Sequence, residues 1–420
     1  MNSVYDSCFK VLKNVLKEKE MFSVSLKKFS NGIKREDFQN VSSLSGLFLR
    51  NYYFITALSI DILKTDDVEA KIYLGLAYVN NAIKKILNPE ETLNYTKNKL
   101  SLYQYKLDAE RSKKFESAIK DKRAYLKNLF SGKSRSNGFK YLSARNNLPE
   151  WVVTTLVKQY DKDCAIKTLN AMTKMPKQYG LINTLTAKDY DSKFIEGFSV
   201  IEGPFLEFNS TSSIRKHQNV RNGNILPVQQ AEYKLIKSLP EIQKGDVALY
   251  FEGRNGIYSS FVSKYLESNR VSILSPVQKD NPELYGRVKG QRPNNLDIYL
   301  STRGEIITHL SNPQDLVLFM PNSSNLEQLR RIPEYGLLFD TNNLDEIIKN
   351  EFEGLDDVSQ YVKEHGYLVY AVPTFNIKET IVLVQNFLRK NGKFNLISDK
   401  VFFPYEAENS VYYYAIMQRK

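Results

Sequence analysis

The 420-residue sequence predicts an α/β protein in which an all-helical N-terminal bundle precedes a C-terminal domain with a mainly parallel sheet. Three observations support this order. Apolar residues recur at helical spacing through the first 130 residues. Pro89 is the only proline in the first 148 residues. From Leu148 onward prolines become regular, and short apolar runs alternate with helical or loop stretches, as is typical of parallel strands buried on both faces.

The helical bundle is predicted from apolar stripes. Val11–Leu16 places apolar residues at positions i, i+1, i+4 and i+5 of one helix face. The stretches 44–58 and 72–78 repeat this kind of pattern. We therefore assign residues 1–130 to a bundle whose apolar stripes form its core.

The parallel sheet is predicted from five short apolar runs, most of them bounded by Gly, Pro, Asn or Asp. These runs are Val247–Phe251, Val271–Leu274, Leu296–Leu300, Leu316–Met320 and Tyr367–Val372. In a sheet of this kind ligands bind at the carboxyl ends of the strands, so the residues that follow each run are candidate site residues.

The charge of the chain is concentrated in its first third. The net charge is +12, and residues 1–150 contain 27 basic and 16 acidic residues, whereas the remainder contains 32 and 31. This asymmetry favours a polyanionic partner, either nucleic acid or an anionic membrane face. A lysine-rich solvated surface is the alternative.

The densest basic stretch runs from Lys106 to Arg145, with twelve basic and four acidic residues. Within it, Ser131–Gly138 is small, polar and basic, and it predicts a flexible linker. A basic helix that leads into such a linker is suited to contacts with a phosphate backbone, although an exposed helix face with a tether explains it equally well. The candidate contacts are Lys113, Lys114, Lys122, Arg123, Lys133, Arg135 and Lys140.

Several classes of protein are disfavoured by the cysteine and histidine content. Cys8 and Cys164 cannot form a disulfide framework or a zinc site, and the three histidines have no ligand spacing. No secretory leader and no apolar run of membrane length is visible. We expect a cytoplasmic monomer without a metal and without a membrane partner.

Short motifs from Leu148 onward follow one another in a characteristic order. They are Leu148-Pro149-Glu150-Trp151, Asn183 in GLINTL, Val228-Gln229-Gln230-Ala231, Pro321 followed by Arg330-Arg331-x-Pro333, Tyr370-Ala371, and Tyr412-Tyr413-Tyr414-Ala415. In this order they resemble the motifs of the bacterial RsmB-type branch of the Nop/Sun rRNA cytosine-C5 methyltransferases. The resemblance extends over essentially the whole chain.

This resemblance implies a domain organisation and a partner. Residues 1–130 would be a NusB-like RNA-binding bundle and 131–147 a basic linker. Residues 148–225 would be a small α/β RNA-binding subdomain, and 226–420 a Rossmann-like S-adenosylmethionine methyltransferase domain. The implied partner is RNA, specifically ribosomal RNA, and Arg330 and Arg331 would lie near the base pocket.

The cofactor motifs depart from those of the family. The leading acid of the glycine-rich loop is Leu249, one of its glycines is Asn255 and its lysine is Ile257. The acids expected after the second and third strands fall on Ser275 and near Thr302. S-adenosylmethionine binding is therefore expected to be weak or lost. The remaining candidates for cofactor contact are Glu252, Gly253, Gly256 and Ser275.

The catalytic motifs depart further. Methylation at C5 of cytosine requires a thiolate that adds to C6. Pro373 stands at the position of that cysteine, Asn322 at the position of the second cysteine, and Phe319 at the position of the aspartate that holds the base.

Three functional hypotheses follow from these departures. The protein is an RNA-binding pseudoenzyme, a working cytosine-C5 methyltransferase, or a methyltransferase that uses Asn322 and Ser323 to act on another atom. The acidic stretch from Glu351 to Asp357 is interpreted as a solvated helix end and carries no function in any of the three.

Overall fold

The computed structural model describes residues 2–29, 33–132, 134–183, 195–210, 212–252, 258–266, 269–276, 294–310, 312–408 and 410–420. The chain divides into two compact units. The first comprises Met1–Thr173 with Gln328–Asp340, and the second comprises Lys174–Glu327 with Thr341–Lys420. The predicted fold class, a helical N-terminal region followed by a Rossmann-like α/β domain, is confirmed.

The first unit is helical throughout. Its helices are Asn2–Lys17, Phe22–Phe29, Arg35–Leu49, Tyr52–Leu63, Val68–Val79, Pro89–Leu102, Ala109–Lys120, Lys122–Leu129, Arg135–Asn146, Glu150–Gln159, Lys162–Met172, Gln328–Arg331 and Tyr335–Leu338, with a π-helical turn at Asn80–Lys84. Val68–Val79 is the central helix, because every residue from Glu69 to Val79 is buried. A helix buried on all sides belongs in the middle of a bundle.

The structure corrects the prediction of a flexible linker at Ser131–Gly138. The helix Arg135–Asn146 begins inside this segment, because the hydroxyl of Ser134 accepts the amide hydrogen of Asn137 at 3.1 Å and so caps the helix. The helix ends at Asn146, and its C-cap residue Asn147 has a φ of 52°, in the left-handed region. Serine and asparagine, which we interpreted as linker residues, serve here as caps.

Gly75 lies in the central helix and offers a test of packing. A Cβ atom at this position would lie 2.4 Å from Cε2 of Phe48 and 2.6 Å from Cγ2 of Ile55. Gly75→Ala should therefore destabilise the protein by about 1–3 kcal/mol, despite the better helix propensity of alanine. Gly138→Ala is the matched control, since a Cβ atom there would have no neighbour within 4 Å and the change should stabilise by roughly 0.5–1 kcal/mol. Denaturant midpoints measure both, and a Gly75→Ala variant as stable as Gly138→Ala would contradict the packing argument.

The second unit contains two sheets. Strands β1 (Tyr179–Ile182), β2 (Phe198–Glu202), β3 (Phe205–Phe208) and β4 (Ile225–Val228) form an antiparallel sheet in the order β2-β3-β1-β4. The larger sheet contains β5 (Asp246–Phe251), β6 (Arg270–Ser275), β7 (Leu296–Leu300), β8 (Gln314–Met320), β9 (Val362–Val372), β10 (Phe394–Phe402) and β11 (Tyr412–Arg419). Its order is β10-β11-β9-β8-β5-β6-β7, and all five predicted runs are strands of it.

Helices and 3₁₀ turns connect these strands. They are Ile214–Lys216, Gln218–Arg221, Gln230–Ser238, Tyr258–Leu266, Arg303–Glu305, Ile306–His309, Thr341–Asn343, Leu344–Ser359 and Ile381–Lys390. Among the helices in the described ranges, none has the length and apolar character needed to cross a bilayer.

The direction of the strands positions the candidate site. β7, β6, β5, β8 and β9 are parallel, whereas β11 runs antiparallel between β9 and β10. The strand order reverses between β5 and β8, and such a reversal opens a crevice at the carboxyl ends of the strands. The residues that follow these five strands therefore meet at one edge of the sheet.

Candidate functional site

A cavity of about 260 Å³ lies at the carboxyl ends of the parallel strands. Its walls come from the strand ends and from the helix Leu344–Ser359. The lining residues are Tyr250, Glu252, Pro276, Thr302, Arg303, Asn322, Ile347 and Asn350. The volume is slightly below the ~300–1,000 Å³ that is usual for small-molecule sites.

The cavity contains an internal ion pair. Nε of Arg303 lies 2.8 Å from Oε1 of Glu252, and Nη1 of Arg303 donates to the carbonyl oxygen of Asn350 at 3.0 Å. Burial raises the pKa of the Glu252 carboxyl above its usual value, although the Arg303 charge and the backbone N–H of Asn322 oppose this. The carboxylate is thus already engaged by a cation of the same chain.

The other strand-end positions offer little to a nucleoside cofactor. Ser275 is buried at the end of β6, where its carbonyl oxygen accepts the amide hydrogen of Ser301 at 3.0 Å. The hydroxyl of Thr302 donates to Glu305 at 2.8 Å as part of a helix cap. Gly253 and Gly256 lie outside the described residues.

S-adenosylmethionine fits these residues poorly. The cofactor carries two cationic groups and ribose hydroxyls, and strand-end acids typically bind the ribose in this kind of fold. Among the described residues that line the cavity, Glu252 is the one carboxylate, and Arg303 occupies it. We therefore assign no chemical step to this cofactor.

The three predicted catalytic positions lack reactive side chains in the structure as well. Phe319 is fully buried and stacks on Tyr250 with ring centroids 5.7 Å apart. Asn322 is exposed at the cavity wall, and Pro373 is buried, with its carbonyl oxygen accepting the amide hydrogen of Glu327 at 3.3 Å. An aromatic ring, an amide and a pyrrolidine ring provide neither a nucleophile nor a base.

A buried cluster joins the loops after β8 and β9, and its centre is Glu379. The Glu379 carboxylate accepts from the amide and hydroxyl of Ser324, both at 2.7 Å, from Nδ2 of Asn376 at 2.9 Å and from the hydroxyl of Thr374 at 3.4 Å. Burial raises the pKa of Glu379 in spite of these donors. Ser324 and Thr374 are therefore held as hydrogen-bond donors to Glu379. Glu379 was not predicted, because no sequence motif marks it.

Glu351 corrects our interpretation of the acidic stretch as a solvated helix end. Its side chain is fully buried beside the hydroxyl of Tyr370. Burial raises its pKa well above the usual value, and the nearby Glu379 and Glu252 raise it further. Helical spacing could have revealed this, because Leu355 and Val358, at i+4 and i+7, are buried core residues.

The structure separates the predicted RNA-binding residues into exposed and engaged side chains. Lys113, Arg123 and Lys140 are exposed. Lys114 is less exposed and forms long ion pairs with Asp61 at 3.7 Å and Glu110 at 3.9 Å. Lys133 and the side chain of Arg135 lie outside the described residues.

Lys122 does not occupy the free surface position that was predicted. Its Nζ lies 4.7 Å from the centroid of the Phe54 ring and 3.4 Å from Oδ1 of Asn51. Burial lowers its pKa to about 8. A lysine that packs over an aromatic ring in this way stabilises the bundle and is poorly placed for a phosphate.

Arg330 is also buried, and this differs from its predicted position beside a base pocket. Its side chain is 2% exposed, and its Nε donates to the carbonyl oxygen of Met172 at 3.4 Å. The reason is that the segment Gln328–Asp340 packs within the helical unit, where Phe339 stacks on Trp151 at 5.3 Å. Arg331, the next residue, is exposed.

Sequence comparisons identify no relative. No protein-family model matches the chain. No curated protein matches it either.

Comparisons of the fold identify several solved structures. The crystal structure of PH0851 aligns with a TM-score of 0.72 at 13% identity and covers 100% of this chain and 99% of that one. A methyltransferase homolog protein from Pyrococcus horikoshii aligns with a TM-score of 0.57 at 14% identity, covering 68% and 100%. NSun6 from Pyrococcus horikoshii, solved with SFG, aligns with a TM-score of 0.54 at 10% identity, covering 64% and 98%. The chain therefore shares its fold with PH0851 along its whole length, and with a methyltransferase homologue and NSun6 over about two thirds of it.

Proposed function

We propose that this protein is an RNA-binding protein with a methyltransferase fold that has lost cytosine-C5 chemistry, and that its RNA is ribosomal. The observation that carries the proposal is the pair of loops after β8 and β9. Asn322 and Pro373 stand there in place of the two cysteines of the family that the sequence resembles. Phe319 stands beside them in place of the carboxylate that would hold the base. A fold kept without its reactive groups is suited to binding.

The RNA-binding half of the proposal is supported by a set of exposed cations that we name the basic face. It is formed by exposed lysine and arginine side chains on three successive helices, Ala109–Lys120, Lys122–Leu129 and Arg135–Asn146. Its members are Lys113, Lys120, Arg123, Lys127 and Lys140. Within the described part of the chain these five cations form no ion pair, so their charges are available to phosphates.

Binding of RNA to the basic face should depend strongly on salt. If the five cations each neutralise one phosphate, the slope of log K against log salt concentration should be about −4, because each contact contributes ~0.7–0.9. Replacing Lys113, Arg123 and Lys140 together with Ala should reduce the magnitude of that slope by about 2–3. Fluorescence anisotropy with a labelled rRNA fragment at several salt concentrations measures both values.

The matched control for the basic face removes the same charge elsewhere in the helical unit. Lys10, Lys27 and Lys28 are exposed on the first two helices, and their replacement with Ala should leave the slope nearly unchanged. Lys122→Met should also leave it unchanged, since its amine packs over Phe54. If the slope fell equally in the test and control triple variants, RNA would be attracted by overall charge and not by the basic face. Binding that does not depend on salt concentration would contradict the proposal.

A further inference from the structure

We propose that Arg303 is a built-in cation that holds the strand-end cavity closed to cationic nucleosides such as S-adenosylmethionine. This inference rests on the proposed function, because it explains how the fold excludes the ligand that the methyl-transfer reaction would need. It assigns a specificity-determining role to a residue that the sequence analysis did not single out.

The Arg303 guanidinium contacts groups on three sides. They are the Glu252 carboxylate at 2.8 Å, the carbonyl oxygen of Asn350 at 3.0 Å and the Asp357 carboxylate at 3.9 Å. Glu252 follows β5, whereas Asn350 and Asp357 belong to the helix Leu344–Ser359. Arg303 therefore bridges the two walls of the cavity.

Arg303 is held in this position by its backbone and its neighbours. It begins a 3₁₀ turn whose first residues are fixed by the reciprocal hydrogen bonds of Thr302 and Glu305. Its Nη1 lies 3.2 Å from the position that a Cβ on Gly354 would take. A larger side chain at position 354 would therefore crowd the guanidinium. A side chain that is preorganised in this way loses little conformational entropy on pairing.

Arg303 and a cationic ligand would compete for the Glu252 carboxylate. The Glu252 side chain is 10% exposed, and a cationic ligand in the cavity would have to displace Arg303 from it. Such a ligand would leave the guanidinium with the Asn350 carbonyl oxygen and the more distant Asp357 carboxylate as its partners, at the cost of its shortest ion pair. Pairing of Glu252 with Arg303 is therefore favoured over pairing with a ligand, because the ligand also loses translational freedom on binding.

The experiment measures S-adenosylmethionine binding by calorimetry at pH 8. Wild type should bind weakly or not at all. Arg303→Ala and Arg303→Met should each bind at least about tenfold more tightly than wild type, since both remove the competing charge and methionine also retains most of the packing volume. S-adenosylhomocysteine, which lacks the sulfonium charge, should gain less.

Two further variants control this experiment. Glu252→Gln combined with Arg303→Ala should lose the gain, because the carboxylate that Arg303 frees is then absent. Arg270→Ala removes an arginine from an exposed ion pair with Asp297, at 2.9 Å, and should bind like wild type. Circular dichroism establishes that each variant is folded, and Arg303→Met carries the test if the alanine variant unfolds.

The outcomes separate this inference from the proposed function. A folded Arg303→Met variant that binds no better than wild type would overturn the role of Arg303 while leaving the RNA-binding proposal intact. A gain that persists in the double variant would overturn it as well. The salt dependence of RNA binding, measured on the same proteins, should be unchanged, and its absence in wild type would count against the proposed function alone.

Discussion

Wild-type protein incubated with radiolabelled S-adenosylmethionine and unmodified small-subunit rRNA should transfer no methyl group to cytosine above background. The reaction at C5 begins with addition of a thiolate to C6 of the base. The family resemblance places the attacking cysteine at Pro373, whose ring carries no ionisable group that could attack. Hydrogen bonds and electrostatic stabilisation lower the barrier of such a step, but they cannot provide the missing nucleophile.

A single substitution should not restore this activity. Pro373→Cys would introduce a thiol at a buried position, where burial disfavours the reactive thiolate. Phe319 would still stack on Tyr250 in place of a carboxylate, and Arg303 would still occupy Glu252. We therefore expect Pro373→Cys to remain at background in the same assay.

A control must show that the RNA can be methylated at cytosine. The same RNA preparation should accept label from an active cytosine-C5 methyltransferase, which shows that the target cytosine is unmodified. Label in cytosine that reaches one methyl group per RNA with purified wild-type protein would overturn the loss of chemistry. Label in another base would instead favour the hypothesis that Asn322 and Ser323 serve methylation at a different atom.

The sheet and the location of the cavity could be predicted from the sequence because both depend on local patterns. Val247–Phe251 and Leu316–Met320 are apolar runs that can only be buried on both faces, and they pair with each other in parallel register. Once these strands are parallel, Glu252 and Asn322 must follow them at the same edge of the sheet. Alternation of apolar runs with helices is sufficient for that step.

The side chains that fill and surround the cavity could not be predicted in the same way. Arg303 meets Glu252 across 51 positions of the chain, and Arg330 packs into helices that lie more than 150 positions earlier. Such contacts depend on tertiary packing, which no local spacing encodes. β10 was missed for a different reason, since most of its residues are exposed or only partly buried and it lacks the apolar run of a central strand.

The fully buried Glu351 should make the protein less stable as pH rises. Its pKa is raised in the folded protein. Below the unfolded-state pKa both states hold the proton, so the free energy of unfolding does not depend on pH through this group. Above that pH the unfolded chain releases the proton while the folded protein keeps it, and the free energy of unfolding falls until the folded-state pKa is passed. The window therefore opens near the usual carboxyl pKa of ~4.3 and extends upward to the raised pKa of the folded protein.

Glu351→Gln should remove this penalty, because an amide has nearly the shape of the protonated carboxyl but does not ionise in the unfolded chain. At pH 8 the variant should be more stable than wild type, by ~1.4 kcal/mol for each pH unit that separates the unfolded-state pKa from the folded-state pKa or from pH 8, whichever is lower. At pH 4.5 the two proteins should differ little, whereas Glu353→Gln, on the exposed face of the same helix, should match wild type at both pH values. Denaturant unfolding at the two pH values measures the differences, and a difference between Glu351→Gln and wild type that does not grow with pH would show that Glu351 is not held protonated in the folded protein.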